Sequence, residues 1–156
     1  MSDRDDEWDD EFDESDFGDE SDGHDLDAYM ELPVYKKAME ISDITQTICD
    51  LIDPEKDTLR MRHMMPGNAD LLAVKIAGAE GGDLYSIRFD KATEIKLAAR
   101  ELLAQTSLLR AEKLVEENYI NMLRKEIEEF RVLFLAWVKD FDKKNDIDDE
   151  WDIKGL

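Results

Sequence analysis

Cysteine occurs once in the 156 residues, at Cys49, so no intramolecular disulfide can form and zinc sites built from several thiolates are excluded. Histidine occurs twice, as His24 and His63, and neither stands three residues after a glutamate. The Glu-x-x-His pairs that complete a carboxylate-bridged di-metal bundle are therefore missing, and no metal is expected. Proline is confined to Pro33, Pro54 and Pro66. Of the few glycines, Gly78, Gly81 and Gly82 follow a helical pattern rather than a strand, and no Gly-Lys-Ser or Gly-Lys-Thr occurs, which removes the phosphate-cradling loops. No apolar run reaches ~18 residues, and the amino terminus is acidic from Asp3 onward, the reverse of a secretory leader. These absences predict a protein of the reducing cytoplasm with no membrane segment, cofactor or metal, and they place Cys49 as a small core or boundary residue.

Bases are scarce at one end. Residues 1–31 hold 16 Asp or Glu against the single Arg4, whereas residues 32–156 hold 25 acids and 19 bases. The first segment, with the spaced aromatics Trp8, Phe12 and Phe17, lacks the apolar density that offsets ordering, so residues 1–31 are expected to form a disordered acidic tail. Residues 32–144 are expected to fold as one domain, and residues 145–156 to form an acidic carboxyl-terminal extension.

Helical periodicity fills that domain. Ile120, Leu123, Ile127, Phe130, Phe134, Trp137 and Phe141 recur at spacings of three and four, one apolar stripe along about six turns. Leu32 and Pro33 open a first helix with Val34, Ala38, Ile41, Ile44, Ile48, Leu51 and Ile52 inward. Asp53-Pro54-Glu55 ends it and offers a cap and first turn for a second, which runs to about Glu80 and is kinked or broken near Met65 by Pro66-Gly67. Gly81-Gly82 stops that element, and Asp83 caps a third helix from Leu84 to about Leu114. Its heptads place Tyr85, Ala92, Ala99 and Thr106 beside Arg88, Ile95, Leu102 and Leu109, a seam whose small residues admit close helix approach. Glu116-Glu117-Asn118 precedes a fourth helix ending near Lys143. The fold class is all-α, an antiparallel four-helix bundle.

Between Val132 and Val138 seven consecutive residues are apolar, and two turns of helix point them in every direction. Val132 and Leu135 share a face with Asn121, Lys125, Glu128 and Lys139. Val132, Leu135, Trp137 and Val138 are therefore expected at an interface between copies of the chain. Arg88 in the heptad seam requires a carboxylate partner or a central channel, since an unpaired buried guanidinium is costly.

No serine has a histidine base nearby, His63 reads as a helix-surface residue, and Asp146–Glu150 lacks the turn glycine and closing glutamate of a calcium loop. No enzyme is expected. One repeat stands out. Asp5-Asp6-Glu7-Trp8-Asp9 recurs letter for letter as Asp148-Asp149-Glu150-Trp151-Asp152. In so acidic a chain this is either compositional coincidence or a pair of docking elements, with Trp8, Phe12, Phe17 and Trp151 the rings that would enter a basic site with an apolar notch.

Leu32-Pro33-Val34-Tyr35-Lys36-Lys37-Ala38-Met39-Glu40-Ile41 resembles the opening helix of the four-helix-bundle proteins encoded in intervening sequences of bacterial ribosomal RNA genes. Arg60, Arg62, Pro66 and Asn68 are similar in spacing to that family's second helix, and Ala92, Ala99, Glu101 and Leu102 continue the likeness. The family includes the accessory variability determinant of diversity-generating retroelements, and the resemblance implies a bacterial chain, a ring-like pentamer of bundles and a nucleic-acid-binding role. This chain differs from that branch in that the bundle itself is acidic. The leading expectation is thus a non-catalytic homo-oligomeric scaffold or interaction protein whose acidic aromatic tail engages a basic surface, on a protein partner or on itself. The alternative is a nucleic-acid-associated accessory factor using Arg60, Arg62, Lys75, Arg88 and Lys91.

Overall fold

The computed structural model describes residues 27–147, 150–153 and 156. The acidic segment expected to be disordered therefore lies, up to residue 26, outside the described residues. Four helices make up the body: α1 (Pro33–Asp50), α2 (Met61–Glu80), α3 (Tyr85–Ala111) and α4 (Glu117–Lys139), preceded by a short 3-10 turn at Ala28–Glu31. Each helix packs on the two beside it, α1 on α2, α2 on α3, α3 on α4 and α4 back on α1. With short connections this closed cycle is an antiparallel four-helix bundle, and among the described residues there is no strand.

The apolar periodicities do what the sequence predicts. All seven residues of the α4 stripe are buried, from Ile120 to Phe141, with Phe130 and Phe134 stacked at 5.9 Å and Trp137 edge-on to Phe141 at 4.8 Å. In α3 the positions Ile95, Leu102 and Leu109 are fully buried. The α1 face comprises Val34, Ala38, Ile41, Thr45, Ile48 and Cys49, with Ile52 just beyond the helix; Leu51, expected inward, is 52% exposed because the chain turns away there. Cys49 is buried, and desolvation pushes its thiol up to about 12, which leaves it unreactive.

Three local expectations are corrected. The second helix does not begin at Pro54. Asp53-Pro54 instead forms the first half of a tight turn, in which the Lys56 N–H donates to the Asp53 carbonyl (3.0 Å) and the Glu55 N–H to Asp53 Oδ1 (3.0 Å). The helix starts at Met61, where the Asp57 carboxylate accepts the N–H groups of Met61 (2.8 Å) and Arg62 (3.0 Å). Of the kink or break expected near Met65, the break does not occur, since the helix is continuous from Met61 to Glu80 with Pro66 inside it. The lost bond to the Arg62 carbonyl lies next to the helix start, and burial of Met61, Met65, Ala69 and Leu72 on both sides of the proline outweighs a penalty of ~3 kcal/mol.

Asp83, finally, is not the cap of α3. That helix receives its terminal acceptors from the far end of the chain: Tyr85 N–H donates to the Asn145 carbonyl (2.8 Å), and Ser86 donates its N–H (3.1 Å) and hydroxyl (2.6 Å) to the Asp146 carboxylate. The chain just beyond α4 is thereby fastened to the foot of α3.

Candidate functional site

The four helix pairs are not equally close. Alanines at Ala69, Ala73 and Ala79 line the buried side of α2, so α1 and α3 approach it tightly. On α4 the corresponding positions carry Phe130, Phe134 and Trp137, and α3 and α4 make the sparsest contact of the four adjacent pairs. A groove of about 270 Å³ runs between them.

Its floor is apolar: Ile127, Phe130 and Phe134 from α4, and Ala99 and Leu103 from α3, with Leu135 as a half-exposed lip. Its rim is cationic, with Lys96 and Arg100 on α3, Arg124 and Arg131 on α4, and the single carboxylate of Glu128. Two of these charges are already anchored. Arg124 Nη1 donates to Thr106 Oγ1 (2.8 Å) and Ser107 Oγ (3.3 Å), bridging the helices at the head of the groove. Arg131 forks onto Glu128 (Nε to Oε2 2.9 Å, Nη2 to Oε1 2.5 Å) and holds that carboxyl below the usual glutamate range. Lys96 and Arg100 form no ion pair among the described residues. The groove thus combines a surface suited to an aromatic or aliphatic side chain with two cations ready for carboxylates.

No group of three or more His, Cys, Asp or Glu that could hold a metal ion occurs among the described residues, and no described helix is long and apolar enough to cross a membrane. His63 lies exposed on α2, as expected of a helix-surface residue.

The residues singled out from sequence fall elsewhere. Arg60 and Arg62 stand at the start of α2, whereas Lys75 pairs with Glu94 across to α3 (2.5 Å) and holds that glutamate's pKa down. Arg88 finds the carboxylate it needs, Glu80 at 2.5 Å, and lies over the Phe141 ring at 4.2 Å. The same Glu80 oxygen accepts the Trp137 indole N–H at 2.7 Å. Lys91 passes over Gly78. From Arg62 to Glu80 α2 rises about 27 Å, so the five cations do not share one patch. Of the four residues expected at an interface between copies, Val132 and Leu135 are 57% and 52% exposed; Trp137 is instead buried in its own subunit and Val138 is half-buried. Trp8, Phe12 and Phe17 lie outside the described residues, and Trp151 is 88% exposed.

Lys96, Arg100, Arg124 and Arg131 were not marked by sequence reasoning, although cations at i, i+4 on α3 and i, i+7 on α4 flanking apolar positions were there to be read. Their significance depends on which helices are neighbours and on how far apart these lie. Compared with protein-family models, curated proteins and solved structures, the chain matches none.

Proposed function

We propose that this protein is a non-catalytic helical interaction module whose α3/α4 groove takes an acidic segment bearing an aromatic or aliphatic side chain. The observation that carries the reading is the coincidence, in one groove, of an apolar floor and a rim with four cations against one carboxylate, on a chain of net charge -21. In so acidic a molecule a local positive rim attracts acidic ligands while the rest of the surface repels them, which favours one docking site over others. The nucleic-acid alternative has less support, because Lys75 and Arg88 are engaged with Glu94 and Glu80, and of the remaining cations singled out for it Arg60 and Arg62 stand at the start of α2 whereas Lys91, on α3, lies beside Gly78 near the other end of α2.

The test is a titration of the full chain with a synthetic Asp-Asp-Glu-Trp-Asp-Asp peptide, to millimolar concentration, followed by methyl NMR. Shifts are expected at Leu103, Ile127 and Leu135, weakening with added salt and lost in Lys96→Glu/Arg100→Glu. Shifts confined to another face, or unchanged binding by the charge-reversed protein, would refute the reading.

A further inference from the structure

We infer that the α3/α4 groove is occupied in cis by the chain's own amino-terminal segment, with Trp8 seated on the Phe130 and Phe134 floor and the flanking carboxylates against Lys96 and Arg100. The inference rests on the reading of the groove as a site for acidic segments, and it adds the occupant and a mode of regulation: an external partner must displace the tail.

Three observations support the assignment. The first is charge. Residues 1–31 carry 16 acids and one base, and the run Asp5-Asp6-Glu7-Trp8-Asp9-Asp10-Glu11-Phe12 sets two rings four residues apart among six carboxylates. That composition matches an apolar floor bordered by cations. The second is size. A groove of about 270 Å³ falls just below the ~300–1,000 Å³ of pockets for drug-sized ligands, which suits one or two ring side chains rather than a folded domain.

The third is reach. The described chain begins at Asp27 and is pinned at the foot of α1, where Tyr29 packs edge-on against Tyr35 at 5.0 Å. Trp8 lies 19 residues upstream of Asp27, a span of at most ~65 Å. A four-helix bundle is only ~20 Å across, so the segment can pass round α1 and α4 to the groove. Tethering at that length gives an effective concentration in the millimolar range. In the carboxyl-terminal copy of the repeat, Trp151 is 88% exposed, and the backbone at Asn145 and Asp146 ahead of it is fastened to α3.

The experiment compares the full chain with full-length Trp8→Ala/Phe12→Ala, using a synthetic peptide of residues 3–12 as the probe. The variant is expected to bind the peptide about tenfold or more tightly, because it lacks the tethered competitor. Equal affinities would overturn cis occupancy while leaving the groove reading intact; binding by neither protein would remove the groove reading itself, and the inference with it. A nitroxide at Ser15→Cys supplies the second measurement, since the Cys49 thiol is buried and does not compete for the label. Broadening of the Leu103 and Ile127 methyls is expected within one chain and should vanish when spin-labelled chains are mixed with isotope-labelled, unlabelled-tail chains. Broadening that persists undiminished in the mixture would assign the groove to the tail of a second copy and refute the intramolecular assignment.

Discussion

Glu80→Ala tests whether the foot of the bundle is held by one carboxylate. Glu80 is the last residue of α2, an unfavourable place for a negative charge next to the helix's own carbonyls. It compensates by accepting Arg88 Nη2 (2.5 Å) and Trp137 Nε1 (2.7 Å) on the same oxygen. Arg88 Nε is already buried without a partner, so loss of Glu80 strands the guanidinium against the rings of Trp137 and Phe141. Orphaning a fully buried charge costs ~3–5 kcal/mol. Here the two side chains retain 25% and 18% exposure, so water relieves part of that and about 2 kcal/mol remains. The unsatisfied indole N–H adds about 1 kcal/mol. The total, about 3 kcal/mol, corresponds to a fall in Tm of roughly 10 °C for a domain of this size. Glu80→Gln keeps an acceptor for Trp137 and should lose about half as much. Urea unfolding is the assay, with a lowered midpoint and an unchanged slope expected. A Glu80→Ala cost below about 0.5 kcal/mol, the range of ordinary surface substitutions, would refute the reasoning and make the cluster a solvated surface pair.

Further outcomes follow from other sites. Lys113 holds φ 52 at the left-handed position closing α3, with Leu114 N–H on the Leu109 carbonyl (3.0 Å) and Lys113 N–H on that of Arg110 (3.2 Å); Lys113→Gly should therefore stabilise by up to about 1 kcal/mol in thermal unfolding. Lys37 ties α1 to α4 through Glu126 (2.7 Å) and Glu129 (2.9 Å), and these bonds raise its own pKa and lower that of Glu129. Stability from the glutamate should be present above its usual value of 4.5 and fade as pH falls through its lower folded value, and that from the lysine should persist to its usual 10.5 and fade above it; Lys37→Met should flatten both limbs of a pH-stability curve. Val132 is 57% exposed and does not line the groove; if it mediates self-association, light scattering should show mass rising with concentration and Val132→Glu should hold the chain at 18.1 kDa, whereas a parent of that mass throughout would refute the expectation. Ala99→Leu should fill the groove floor and abolish peptide binding while changing stability by less than about 1.5 kcal/mol, as measured by parallel titration and urea unfolding.

What the sequence made legible was whatever repeats at helical spacing. The α4 stripe and the buried heptad positions of α3 were readable because a side chain's inward direction follows from its index along one helix. Asp53-Pro54 was ambiguous for a physical reason: an acid followed by proline satisfies both a helix start and the first half of a tight turn. The tie was broken by Asp57, whose carboxylate reaches the N–H groups of Met61 and Arg62. The Asp146 cap on Ser86 links positions 60 residues apart, and no local propensity carries that information. Arg88 shows the intermediate case. Its need for a carboxylate followed from burial, but its partner, Glu80, became identifiable only when the ends of α2 and α4 were brought to the same level as the start of α3.

The groove has the same origin. α3 touches α2 through alanines and α4 through aromatics, so the second gap is wider, and what fills it changes along its length. At the head, Arg124 crosses to Thr106 and Ser107. At the foot, the Arg88 guanidinium covers Phe141 and reaches Trp137. Midway, α3 presents Ala99, whose single methyl group leaves a recess floored by the edges of the otherwise buried Phe130 and Phe134. A small residue in a heptad seam permits close approach only when the facing residue is also small; opposite a phenylalanine it leaves a recess instead. Lys96, three residues before Ala99, and Arg100, four residues after Lys96, then border the same recess by helical geometry. The site is therefore a consequence of one size mismatch between neighbouring helices, and its charge a consequence of which residues happen to flank it.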